Sequence, residues 1–181
     1  MRIKIVTYYF SLLIMIICSC GHTDSTQVRK DTKKKTLQQK DGSGSLILNK
    51  AAFYRDGINP SNNTAEWDMV ISKPGRFKVW ITSATKDTTD LKYANAVRIS
   101  ILDDVLEVIP GCDKIVRNSI DVHYPYFRVD SYMGSIYIAE PGEYNIQLIS
   151  EKVIMEKPES KNVTVTDDTK LMSVILTPMT N

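Results

Sequence analysis

The sequence predicts an all-β fold, an antiparallel β-sandwich of about eight to ten strands. Three observations predict it. Beyond residue 44, apolar residues alternate with polar ones in short runs, the period of a strand with one dry face. Turn-forming clusters such as Lys73-Pro74-Gly75 and Glu140-Pro141-Gly142-Glu143 separate those runs. No segment there carries a helical period of useful length. Hydrophobic residues make up 43% of the 181-residue chain and charged residues 24%, so one ordinary core can form.

The N-terminal elements come first. Arg2 and Lys4 give a basic start, and Ile5 to Ile17 (IVTYYFSLLIMII) is almost wholly apolar. At roughly 13 residues the run has the length of a signal-peptide core, well short of the ~20 that a spanning helix needs. It closes on Ile17-Cys18-Ser19-Cys20-Gly21, which resembles the bacterial lipobox. The resemblance implies a signal peptide over residues 1–19, cleavage before Cys20, and acyl chains on Cys20 as the membrane anchor. Two or more acyl chains hold a protein stably on a bilayer. By resemblance to lipoprotein sorting, Gly21 does not match an inner-membrane retention signal. An outer-membrane lipoprotein is expected, with the periplasmic and cell-surface faces both open.

Residues 20–44 read as anchor and disordered tether. Only Val28 and Leu37 are apolar there, too little burial to offset ordering entropy. As a coil of about 24 residues it spans roughly 25–30 Å. Asp24-Ser25-Thr26 resembles the O-glycosylation motif of Bacteroidetes. The net charge of +2 owes much to Arg29, Lys30 and Lys33 to Lys35. It reads as a solvated run and argues for no nucleic-acid partner. Of the three cysteines, Cys18 is removed and Cys20 acylated, which leaves Cys112 without a disulfide partner. Its turn, Pro110-Gly111-Cys112-Asp113, favours a part-buried small residue over a reactive thiol.

The domain, residues 45–181, follows. Leu46-Ile47-Leu48, Ala51-Ala52-Phe53-Tyr54 and Trp67-Asp68-Met69-Val70-Ile71 are the first apolar runs. Phe77, Val79 and Ile81 then alternate with Lys78, Trp80 and Thr82. Val97 to Ile101 and Val105 to Ile109 flank Asp103-Asp104, a predicted hairpin turn. Ile136 to Ile138 and Tyr144 to Leu148 flank Glu140 to Glu143, a second predicted hairpin, and Leu171 to Leu176 closes the domain.

Some of these residues carry a family resemblance. They are Ala65-Glu66-Trp67-Asp68, Lys73-Pro74-Gly75-Arg76-Phe77-Lys78-Val79-Trp80, Met133-Gly134-Ser135-Ile136-Tyr137-Ile138, Pro141-Gly142-Glu143-Tyr144-Asn145-Ile146 and Leu176-Thr177-Pro178. Their order and spacing resemble the galactose-binding-like jelly roll of family 6 and family 35 carbohydrate-binding modules and of fucosidase terminal domains. The resemblance implies that fold, and fold does not fix function. A structural calcium is common in that family, and Asp103-Asp104, Asp121 and Asp167-Asp168 could supply oxygens. No segment has a dedicated calcium-loop spacing, so surface carboxylates are the preferred reading, with no cofactor or metal required.

Sugar recognition needs exposed rings for the apolar side of a pyranose and polar groups for its hydroxyls. His123-Tyr124-Pro125-Tyr126-Phe127-Arg128 is the leading candidate rim, with Tyr124, Tyr126, His123 and Arg128 as contacts. Trp80 points away from the Phe77 face and is a second candidate. Tyr93 and Asn95 lie on a polar connection that could join the rim. With only His22 and His123 present, a His-rich zinc site is excluded. The sequence lacks G-x-S-x-G, H-E-x-x-H and a phosphate-cradling loop. A non-catalytic glycan-capture module is therefore expected. The alternative is an envelope scaffold for a protein partner, marked by an exposed apolar patch or a bare strand edge.

Overall fold

The computed structural model of the chain describes residues 35–154 and 168–179. The expected signal peptide, Cys20, the glycosylation motif and most of the tether lie outside them. The described residues form two sheets packed face to face, as the alternation predicts. The first contains β1 (Thr36–Leu37), β3 (Ala52–Tyr54), β4 (Thr64–Ile71), β6 (Val97–Ile101), β7 (Asp104–Val108) and β10 (Gly142–Ile149), in the order β1-β4-β10-β6-β7 with β3 also on β4. The second contains β2 (Gly44–Ile47), β5 (Gly75–Thr85), β8 (Lys114–Val116), β9 (Phe127–Ile138) and β11 (Thr169–Pro178), in the order β2-β11-β5-β9-β8. All pairings are antiparallel except β1 with β4.

Period-two hydrophobicity builds the core. Ala65, Trp67, Met69 and Ile71 on β4 face inward, as do Ile146 and Leu148 on β10. Phe77, Val79 and Ile81 on β5, and Val174 and Leu176 on β11, meet them from the other sheet. Trp67 also donates its indole N–H to the Ile47 carbonyl at 2.9 Å. Its polar edge is thereby satisfied inside the sandwich.

Three local features differ from the plain reading of the sequence. First, β1 and the start of β2, at residues 36, 37 and 44, lie before the anticipated boundary at residue 45. Gln38 holds this segment. Its Oε1 accepts from the Ser72 and Lys73 backbone N–H groups, and its Nε2 donates to the Gly42 and Lys73 carbonyls. One polar side chain thus fastens a segment that has no apolar period.

Second, the Glu140–Glu143 turn is not a hairpin. It carries the chain from β9 in the second sheet to β10 in the first. Lys73-Pro74-Gly75 does the same between β4 and β5. In both cases the flanking strands bury their alternate residues against each other across the core, and side-by-side pairing would not bring those faces together. Third, the β6–β7 hairpin forms, but its turn falls on Leu102-Asp103, with Leu102 at φ 55°.

Irregularities in the second sheet position the candidate site. Val79 pairs with Gly134 but Trp80 pairs with Tyr132, so Met133 is an extra residue on β9. Leu171 and Ser173 pair with consecutive β5 residues, so Met172 is extra on β11. Each bulge reverses which residues of its strand point outward. Gly134 sits at φ 131°, and a Cβ there would lie 3.0 Å from a Leu106 methyl carbon on β7. Glycine is required on both counts.

Candidate functional site

Alternation on β5 sends Arg76, Lys78, Trp80, Thr82 and Ala84 to the outer face of the second sheet. Register then sets Tyr137 beside Arg76, Ser135 beside Lys78, Tyr132 beside Trp80, Asp130 beside Thr82 and Arg128 beside Ala84. On the other flank, Thr177, Ile175, Ser173 and Lys170 of β11 face Lys78, Trp80, Thr82 and Ala84. The bulge places Tyr132 and Tyr137 on one face although five positions separate them.

The rings fall at three levels along the strands. In the middle, Trp80 and Tyr132 meet with centroids 5.1 Å apart and planes tilted by 54°. Trp80 is part-buried and Tyr132 is 40% exposed. At one end Tyr137 is 58% exposed, with the Arg76 guanidinium carbon 6.0 Å from its ring centre. At the other end the Tyr126 ring has the Lys86 and Lys170 ammonium groups at 5.4 and 5.8 Å. Those distances are within the range of cation–π attraction.

Arg128 and Asp130 form the polar anchor. Arg128 donates from Nε to Asp130 Oδ1 at 2.9 Å and from Nη1 to Asp121 Oδ2 at 2.6 Å. Thr82 Oγ1 donates to the same Asp130 oxygen at 3.0 Å. Burial opposes the Arg128 charge, but the Asp130 and Asp121 carboxylates more than offset it, and its pKa is raised.

The sequence-predicted residues divide between two environments. Tyr124 is 93% exposed and His123 is exposed, both on the loop before β9. Tyr126, Arg128 and Trp80 share the outer face just described. Phe127 and Arg128 belong to β9 itself, so the expected loop ends at Tyr126. Tyr93 instead packs against the core, with its hydroxyl 3.1 Å from Ser83 Oγ and the Lys152 ammonium 5.3 Å from its ring centre. Asn95 is exposed, and its backbone N–H and that of Ala94 donate to Glu151 Oε1. Sequence reasoning missed Tyr132 and Tyr137, along with the cations Arg76, Lys78 and Lys170. Pairing opposite Trp80 is the signal for Tyr132, and the bulge hides it.

The described calcium candidates lie on turns and ion pairs, and Asp167 lies outside the described residues. Asp103 and Asp104 are at the β6–β7 hairpin, Asp121 pairs with Arg128, and Asp168 pairs with Lys86 at 3.2 Å. Among the described residues no group of three or more His, Cys, Asp or Glu side chains is placed to share an ion. Cys112 lies in the segment just before β8, alongside β9. There the Gly111 carbonyl accepts from Ser131 Oγ, and Asp113 accepts from the Tyr132 N–H. Burial, helped by Asp87, Asp90 and Asp113, raises the Cys112 thiol pKa.

No protein-family model matches the chain, and no curated protein matches it. Solved structures do. An α-L-fucosidase from Vibrio sp. strain EJY3 superposes with a TM-score of 0.60 at 22% identity, over 79% of this chain and 24% of that one. A GH26-CBM35 β-(1,4)-mannanase from Podospora anserina gives a TM-score of 0.44 at 11% identity, over 78% of this chain and 28% of that one. The chain thus spans about a quarter of the length of each. At such identities the likeness to the fucosidase is one of fold: part of that enzyme is a β-sandwich built like this one.

Proposed function

We propose that the domain is a non-catalytic carbohydrate-binding module whose ligand lies on the outer face of the second sheet. One observation carries the reading: three aromatic stations, Tyr126, Trp80 with Tyr132, and Tyr137, lie along one face and alternate with hydroxyl and cationic groups. Rings of this kind stack on the C–H side of a sugar, and Ser135, Thr177 and Ser173 offer hydrogen bonds to its hydroxyls. The fold likeness to a fucosidase domain is consistent with that use. Asp130, the carboxylate on the strands of this face, is already held by Arg128 and Thr82, which favours binding over acid–base chemistry.

Glycan-array screening followed by calorimetry on the full chain tests the proposal. Trp80→Ala is expected to weaken binding about tenfold, which corresponds to ~1.4 kcal/mol. Failure to bind any glycan at millimolar concentration overturns it, as does binding unchanged in both Trp80→Ala and Tyr132→Ala.

The module is further proposed to be an outer-membrane lipoprotein anchored through Cys20. Metabolic labelling with an alkynyl palmitate should mark the chain, and unchanged labelling of Cys20→Ser would refute the assignment. A protein-interaction scaffold is a second reading, favoured by the β7 edge, where Leu102, Val105 and Ile109 are exposed. Photocrosslinking from position 109 in native membranes tests it, with one stoichiometric product expected that Val105→Lys abolishes. The absence of such a product would count against it.

A further inference from the structure

We infer that the polysaccharide taken by this face carries carboxylate or sulfate groups and runs along the direction of β5 and β9. The inference rests on the carbohydrate reading and adds the ligand's charge, length and orientation. It starts from how charge is distributed over the sandwich. Outward positions on the second sheet hold Arg76 and Lys78 on β5, Lys114 on β8, Arg128 on β9 and Lys170 on β11. The carboxylate among those strand positions is Asp130, shared by Arg128 and Thr82. The outer face of the first sheet is the reverse. Glu66 and Asp68 on β4, Glu107 on β7 and Glu143 on β10 lie there with two cations, Arg98 paired with Glu107 and Lys35 paired with Glu143. Strand carboxylates thus predominate on one face and strand cations on the other.

The cations are placed beside the rings. Arg76 stands over Tyr137, Lys78 is two positions from Trp80 on the same face, and Lys170 flanks Tyr126 together with Lys86, which is also paired with Asp168. A neutral sugar uses the ring and has no need of the neighbouring charge. A sugar bearing an anionic substituent uses both, with its C–H face on the aromatic ring and its substituent on the ammonium or guanidinium. The rings stand level with Arg76, Trp80 and Lys86 along β5 and its end, since Tyr126 lies one step beyond the Thr85–Phe127 pair and beside the Lys86 ammonium. At ~3.3 Å per residue, the two intervals are about 13 and 20 Å and the three stations span about 33 Å. That length suits a chain of several linked rings better than a single terminal sugar, and it fixes the chain parallel to the strands.

The test uses polysaccharides that differ in charge alone. The full chain is titrated by calorimetry with polygalacturonate and with its fully methyl-esterified counterpart, and separately with chondroitin sulfate and its desulfated form. The acidic member of at least one pair is expected to bind tenfold or more tightly than its neutral twin. Raising salt from low to about 0.5 M should erase most of that difference, since screening shortens the reach of exposed charges. Lys78→Glu and Arg76→Glu should each weaken binding about threefold or more, and Arg55→Glu, beside the first sheet, should leave it unchanged. Urea midpoints confirm that the variants fold. Equal, salt-insensitive binding of the twins overturns this inference and leaves the carbohydrate reading standing. Binding to anionic lipid vesicles or an acidic protein, with no polysaccharide bound in either pair, overturns the inference in favour of that partner. No binding of these or any glycan removes both.

Discussion

Asp130 is the residue on which the geometry of the candidate face depends most, and Asp130→Ala is the perturbation that measures it. The carboxylate side chain is 9% exposed and receives two contacts from Arg128, at 2.9 and 3.3 Å, and one from Thr82. Removing one partner of a fully buried ion pair costs about 3–5 kcal/mol, because the other charge is left desolvated. Arg128 is not in that extreme position. Its side chain is 19% exposed and it keeps Asp121, itself 45% exposed, at 2.6 Å, a pair of the kind worth about 0–1 kcal/mol. The loss of the Thr82 bond adds about 1 kcal/mol. The expected total is about 2–3 kcal/mol. With a urea m-value of ~2 kcal/mol/M for a domain of this size, the midpoint should fall by about 1 M or slightly more. Asp130→Asn, which keeps an acceptor of the same shape, should cost about half as much. A double-mutant cycle with Arg128→Gln should return a coupling of ~1–2 kcal/mol. A midpoint shift below about 0.3 M, or a coupling near zero, would show that the pair is solvated and that Arg128 is positioned by something else.

Two further outcomes follow from the same geometry. Gly134→Ala places a Cβ 3.0 Å from Leu106 at φ 131° and should cost about 1–3 kcal/mol in chemical denaturation; a neutral substitution would mean that β7 yields freely. Cys112, with its thiol pKa raised by burial and then by Asp87, Asp90 and Asp113, should be alkylated by iodoacetamide more slowly than a free thiol at neutral pH. Its rate should continue to rise through pH 9, and a plateau below pH 8 would contradict the assignment.

The parts of the fold legible in the sequence are those where period two runs unbroken. Met69, Ile71, Phe77, Val79 and Ile81 declare β4 and β5 and their inner faces, and from them the outward aim of Trp80 follows. Parity fails wherever the ladder admits an extra residue. Counting back from Tyr137 by twos puts Tyr132 inside, and only the Met133 bulge brings it out beside Trp80. A bulge leaves no mark in composition, so half of the aromatic pair stayed hidden. The turn at Pro141-Gly142 is ambiguous in sequence for a related reason. A Pro-Gly turn suits a hairpin and a corner between sheets equally, and what decides is which sheet needs the next strand. The polar connection that carries Tyr93 is compatible with the rim. Tyr93 itself lies inward because its hydroxyl finds Ser83, a polar residue on an inward position of β5. β1 has no period at all and depends on the side-chain hydrogen bonds of Gln38.

The two outer faces of the sandwich answer the same structural demand, and they answer it differently. Both are outward, solvent-side surfaces of antiparallel strands, and both need cross-strand neighbours that tolerate each other. The first sheet meets this with Glu66, Asp68 and Asn145, where the Asn145 amide donates to both carboxylates. On the second sheet the corresponding work falls to Trp80, Tyr132, Tyr137 and the cations around them. A cross-strand aromatic pair contributes about 0.5–1.5 kcal/mol beyond its burial, so stability alone accounts for Trp80 and Tyr132 as a pair. It does not account for Tyr137, more than half exposed at the end of the strand, or for a lysine or arginine beside each station. Exposed rings in a row invite aggregation, and neighbouring cations repel. Cation–π contact and the Lys86–Asp168 and Arg128–Asp130 pairs offset part of that cost. Under the proposed function a ligand offsets more of it by covering the rings and meeting Arg76 and Lys78 together, because a partner that used only the rings would leave those charges unmet, and one that used only the charges would leave the rings in water.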